Sequence, residues 1–336
     1  MIRSLARALT PALVASVVAV ALAAGADVAL AQGASAYPTR PITYVIPYPP
    51  GGVTDSSARM ISAKLAEALK QPVIIDNRPG AGGIIGTAYV ARAQPDGYTL
   101  LHATAGVLAI APYVNKVQYD PVRDFTAIAN MVSSYTALVV NRNFPGNSVR
   151  DLLAYARTNQ TFFGSSGQGG ITHLIGEMFK SAANMPQIVH VPYKGGGPAM
   201  VDLLAGRVHF VFDSQPAERV ASGQVKALAV MGPQRLKALP NVPTIHEAGV
   251  PNFRGGAAWI GVVGPANLPR DIVNRLSTQL MQIAAQSEFA EKMEAAGVVV
   301  TAQDSAAFAT QIRQDNESYG AFIRAAGITE EGSGAK

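Results

Sequence analysis

The sequence predicts an α/β protein of two domains between which the chain crosses twice. From Pro41 onward, short β-branched or aromatic runs alternate with stretches whose apolar residues recur at helical spacing. That is the pattern of a parallel sheet covered by helices on both faces. The alternation starts afresh beyond Val140. The last helix-like stretches bring no strand-rich unit of their own, so they are expected to pack back on the first domain, with crossings near Val140 and near Trp259.

A length of 336 residues leaves room for two ordinary domains, and 49% hydrophobic against 15% charged residues describes a globular chain rather than a disordered one. Residues 1–31 differ from the rest: Arg3 and Arg7 precede an almost unbroken Ala, Val and Leu run from Ala8 to Ala24, and small residues follow. This is a secretory signal pattern, with cleavage after Ala31 favoured over Ala36. Gly25 and Asp27 end the apolar run early, which argues against a retained membrane anchor. With no cysteine, an exported chain must be held by its core alone. The formal net charge of +5 falls to +4 once the signal's two cations and one anion are removed. The remaining charge is spread along the chain, so no nucleic-acid partner is expected.

In order, strands are expected at residues 42–46, 73–76 and 98–101. Between the first two, Ala58, Ile61, Leu65 and Leu69 make one apolar helix face, with Arg59, Lys64 and Glu67 elsewhere. The helix begins near Gly52, after Tyr48-Pro49-Pro50-Gly51-Gly52-Val53-Thr54-Asp55. That turn offers free N–H groups and a positive helix end, a place for an anion if it is not merely capped. A second glycine turn, residues 77–86, opens a helix to about Ala93. Residues 125–140 read as two strands around Ser133-Ser134-Tyr135. Ser148 is placed to cap a helix to Arg157, and strands follow at 161–164, 188–191, 208–212 and 225–230. After a proline-rich connection come a strand at 258–263 and helices at 269–284, 288–295 and 305–324.

Three strands of the second domain end in small or polar residues: Ser165-Ser166-Gly167, Tyr193-Lys194-Gly195 and Asp213-Ser214. In a parallel sheet such loops gather on one edge, where ligands bind. Other chemistries are weaker. The second glycine turn departs from dinucleotide-binding spacing. Ser165 or Ser166 with His173 and Asp213 suggests a secreted serine hydrolase, but the G-x-S-x-G spacing is missing. The histidines are scattered without metal-ligand spacing. Neither cofactor nor metal is expected.

Residues 47–55, 77–83 and 95–100, Gly164-Ser165-Ser166-Gly167 with Thr172-His173-Leu174, and Val191-Pro192-Tyr193-Lys194-Gly195 occur together and in order. They resemble the Bug-type substrate-binding proteins of tripartite tricarboxylate transporters, in register from about Tyr37 to Ile328. The resemblance implies a periplasmic binding protein of type II-like fold, with a central ligand cleft between domain 1 (residues 37–140 plus 257–328) and domain 2 (141–256). It implies a monomeric periplasmic receptor, not an enzyme, that captures a small carboxylate or related anionic or zwitterionic solute and delivers it to membrane transporter subunits. A sensor without transport is the alternative within the family. Carried over residue by residue, the first-domain wall would be Tyr48, Gly51, Gly52, Thr54 and Asp55 with Thr104 and Ser134; the second, Ser165, Ser166, Gly167, Thr172, Tyr193, Gly195 and Asp213. Gly170 and Gly196 stand where relatives often carry hydroxyls, so a citrate-like or dicarboxylate ligand does not follow from the resemblance.

Overall fold

The computed structural model describes residues 37–253, 255 and 257–328; the expected signal segment, residues 1–31, lies outside them. Two sheets organise the chain. The first contains β1 (Ile42–Ile46), β2 (Val73–Asn77), β3 (Thr99–Thr104), β4 (Phe125–Tyr135), β10 (Ala257–Pro265) and β11 (Val299–Gln303), in the order β11-β4-β10-β3-β1-β2. The second contains β5 (Ala137–Asn141), β6 (Phe162–Ser165), β7 (Val189–Pro192), β8 (Phe210–Asp213) and β9 (Val225–Val230), in the order β7-β6-β8-β5-β9.

Both sheets are mixed, not parallel throughout. β1 runs parallel to β2 and β3, but β10 lies antiparallel between β3 and β4, and β11 is antiparallel to β4. In the second sheet β6, β7 and β8 are parallel, while β5 runs against β8 and β9. Two of the reversed strands, β5 and β10, are those on which the chain enters a sheet from the other one. Residues 125–135 form one strand, and the break comes at Thr136. The first crossing is therefore at Thr136, ahead of Val140, because β5 already pairs in the second sheet.

The helices follow the apolar periodicity. Helix α1 (Val53–Leu69) buries Ala58, Ile61, Leu65 and Leu69 against β1 and the later helix α8 (Arg270–Ala284). Helix α2 (Ile84–Ala91) and the short α3 (Ala111–Val114) complete the first half. Helix α4 (Val149–Thr158) starts at the cap foreseen at Ser148, which is one half of a capping box: its hydroxyl accepts from Asp151 N while the Asp151 carboxylate accepts from Ser148 N. Helices α5 (Ile171–Ala182), α6 (Gly196–Leu204) and α7 (Pro216–Ala221) follow β6, β7 and β8. After α9 (Ser287–Ala295) the chain adds β11, which was not expected, and then α10 (Ser305–Ala326). Helix α10 does not belong wholly to the first half. Phe308 packs under Trp259, whereas Tyr319 and Ile323 join the second core around Phe163, Phe179 and Phe210.

Candidate functional site

The parallel strands bring two families of loops to their C-terminal ends. On the first sheet, Gly51 takes φ +93°, a left-handed backbone that glycine adopts without strain, and Gly52 caps α1 with no side-chain hydrogen bond. The amide of Gly51, expected to face a ligand, is already engaged: it donates to Asp55 Oδ2 at 3.1 Å. Asp55 also accepts from Arg59 Nε at 2.9 Å, Arg59 Nη2 at 3.1 Å and Asn77 Nδ2 at 3.0 Å. These bonds, the Arg59 guanidinium foremost, hold its carboxyl down at about 2. Asp55 thus braces the turn from beneath instead of reaching for a solute, and Asn77 ties it to the second glycine turn by donating to Tyr48 O. Tyr48 pairs its hydroxyl with Thr104 Oγ1 at 3.0 Å. Below them Ser57 donates to Thr54 O and meets His102 Nε2 at 3.0 Å, while Tyr44 meets the other ring nitrogen. Burial lowers the His102 pKa to about 3.

On the second sheet, Ser165 Oγ donates to Gly167 O at 3.1 Å and lies 2.7 Å from His190 Nε2. Thr172 Oγ1 accepts from Ser166 N at 2.9 Å and pairs with Ser166 Oγ at 2.8 Å, fastening the loop to the first turn of α5. Gly195, at φ +110°, donates its N–H to Ser166 O, so this amide too is spent on joining loops rather than left for a ligand. Tyr193 donates to Asp202 Oδ2 at 2.6 Å, and burial, with Asp202 beside it, raises its pKa to about 12. Asp213 is bound by Arg219 Nη1 at 2.9 and 2.7 Å and by Gln215 N at 3.1 Å.

A cavity of ≈ 330 Å³ opens between these loops. Of the expected residues Ser134, Ser165, Ser166, Thr172 and Asp213 line it. Tyr48, Gly51, Gly52, Thr54, Asp55 and Thr104 belong to the first-sheet turn and lie outside its lining, as do Gly167, Tyr193 and Gly195. Sequence reasoning missed Thr136, Gln215 and Arg219, all of them on its wall, where Gly196 and Gly197 also lie. Helices α5 and α6 both point their N-termini here, from Gly170 and Gly195, without side-chain caps. Their free N–H groups make the cavity suited to an anion. Lys194 is exposed and off the wall.

No hydrolytic triad is assembled. His173 accepts from Gly169 N through Nδ1 and stacks on His190, the ring that meets Ser165, while Asp213 is committed to Arg219. Among the described residues no group of three His, Asp or Glu side chains could hold a metal, and no helix is long and apolar enough to cross a membrane.

Comparison with known proteins agrees with this architecture. Residues 57–328 match the model of the tripartite tricarboxylate transporter family receptor. The chain is 38% identical to the UPF0065 protein in the tcbD-tcbE intergenic region of a Pseudomonas species, over 83% of this chain and 84% of that protein. It is 35% identical to Protein BugT of Bordetella pertussis, over 85% and 90%. Among solved structures, periplasmic binding protein BugD superposes with TM-score 0.69 at 33% identity, covering 87% of this chain and 99% of that one. R. palustris Rpa4515 with adipate gives 0.72 at 35%, with the same coverage. The mixed two-sheet fold, the loops gathered at its strand ends and these matches together place the chain in the tripartite tricarboxylate transporter family of solute receptors.

Proposed function

We propose that this receptor captures a small carboxylate between two closing α/β domains and passes it to membrane subunits of the tripartite tricarboxylate type. The observation that carries the proposal is the ≈ 330 Å³ cavity, where two uncapped helix N-termini meet the hydroxyls of Ser134, Ser165, Ser166 and Thr172. Helix-end amides and hydroxyls hold an anion without a buried counter-charge. The adipate in Rpa4515 and the malate bound to MatC of Rhodopseudomonas palustris, a structure 28% identical, are carboxylates of this size. The uncapped start of α1 and the Tyr48–Thr104 pair would form the opposing wall once residues 37–140 with 257–328 close on 141–256. A solute touching both sides favours the closed form, which the membrane partner then recognises. The chain works as an exported monomer, its first 31 residues removed, and binds without turnover.

Thermal shift of ligand-free mature protein across carboxylates, amino acids and neutral analogues tests this, with native mass spectrometry of the copurifying solute. Carboxylates are expected to raise the melting temperature. If none does, the proposal fails.

A further inference from the structure

One group on the cavity wall has hydrogen-bonding capacity that no described residue uses. Arg219, on α7, spends a single nitrogen: Nη1 donates to both oxygens of Asp213, and at 3.4 Å to Gln215 O. Its Nε and Nη2 make no hydrogen bond among the described residues. A guanidinium carries five N–H donors in a fixed fork, and the edge formed by Nε and Nη2 is one that grips a carboxylate with two parallel bonds. That edge is intact.

We propose that Arg219 is the specificity-determining residue of this receptor, holding an oxyanion at the far end of the solute through Nε and Nη2. The near carboxylate lies at the starts of α5 and α6. The inference rests on the receptor assignment above and narrows it to solutes with two anionic ends. The Arg219–Asp213 pair explains how the site stays competent when empty. Asp213, 9% exposed, fixes Nη1 and offsets only part of the guanidinium's charge, so the fork is positioned before the solute arrives and little side-chain freedom is lost on binding. An amine at the far end would meet the cation instead of a free carboxylate. Asp213 is therefore a positioning residue and not the acceptor of a ligand amine.

Isothermal titration of the mature protein with α,ω-dicarboxylates of graded length including adipate, the matching monocarboxylates and the matching ω-amino acids tests the inference. Dicarboxylates are expected to bind about 10- to 100-fold more tightly than monocarboxylates of equal length, the usual effect of a hydrogen-bonded charge. Arg219→Gln should erase that preference; it also uncovers Asp213, so monocarboxylate affinity falls as well and the ratio of the two affinities is the readout. Arg219→Lys, which keeps the charge but loses the fork, should fall between. Equal affinity of wild type for mono- and dicarboxylates overturns the inference and leaves the receptor assignment standing; so does tightest binding of ω-amino acids, which would give the far end to Asp213. Failure of every carboxylate to bind overturns the receptor assignment itself. Should Arg219→Gln not fold, the wild-type series still decides.

Discussion

The imidazole of His190 lies flat on that of His173, with ring centroids 3.8 Å apart and 12° between the planes. Both rings support the loop that carries Ser165: His190 meets its hydroxyl and His173 accepts from Gly169 N. Burial lowers both pKa values, His190 to about 3, and Lys180 lowers them further; Glu177, 4.0 Å from His173, opposes the change there. Phe163 also lies against His190, with ring centroids 4.8 Å apart.

Acid should therefore destabilise the protein well before its carboxylates titrate. Between the ordinary histidine value near 6.5 and about 3, the unfolded chain binds protons that folded His190 and His102 refuse, so stability is complete above that window and is lost as pH falls through it. Each histidine contributes at most about 1.4 kcal/mol per pH unit. Asp55, held at about 2, loses its contribution only below about pH 4. Urea midpoints measured from about pH 7 to pH 4.5 should fall steadily, and His190→Gln should flatten the slope. A wild-type midpoint that stays constant over this range contradicts the assignment.

Asp55→Ala should cost about 1–3 kcal/mol, because Gly51, Asn77 and Arg59 lose a shared acceptor at once. Asp55→Asn should lose less, since an amide oxygen still accepts from Gly51 N. Chemical denaturation measures the order of the two variants. Solute affinity should fall in the same order, as the turn at the start of α1 loosens. Equal stability of wild type and Asp55→Ala would show that the brace is not needed.

Gly176→Ala tests the packing beneath the second-sheet loops. Gly176 lies in α5 directly against the ring of Phe163, where an added methyl has no space. Alanine is the better helix former by about 1 kcal/mol, yet overpacking should dominate and destabilise by about 1–3 kcal/mol. Adding Phe163→Leu should recover part of the loss, which a thermal melt would read. A stabilised Gly176→Ala would mean that the ring moves aside freely.

Much of the fold was legible because it follows local periodicity: Ala58, Ile61, Leu65 and Leu69 are all buried, and Ser148 does cap its helix. Strand direction was not, since residues 258–263 read the same whether they run with or against Leu100 and Leu101. Direction depends on where the chain returns from. Strand Val299–Gln303 was missed because a short run between two helices gains its identity only by pairing with the edge of β4. At the site, the strand-end hydroxyls were visible as residue types, and Ser165, Ser166 and Thr172 do line the cavity. Arg219 was not visible: it stands six residues beyond Asp213, and only the turn of the chain through Pro216 brings them together. In the same way Asp55 was recognised as a helix-start carboxylate, but its capture by Arg59 one turn later was not.

Trp259 is the sole tryptophan of the sequence, is 0% exposed, and donates its indole N–H to Asp315 at 2.7 Å on the strand that brings the chain back into the first sheet. Its emission is therefore a single-site signal, sealed from collisional quenchers. A spectral shift on adding ligand would report rearrangement around β10, separable from occupancy measured by heat. Were the two domains to close on a solute as proposed, this indole would serve as an intrinsic optical gauge of the movement, usable without labelling.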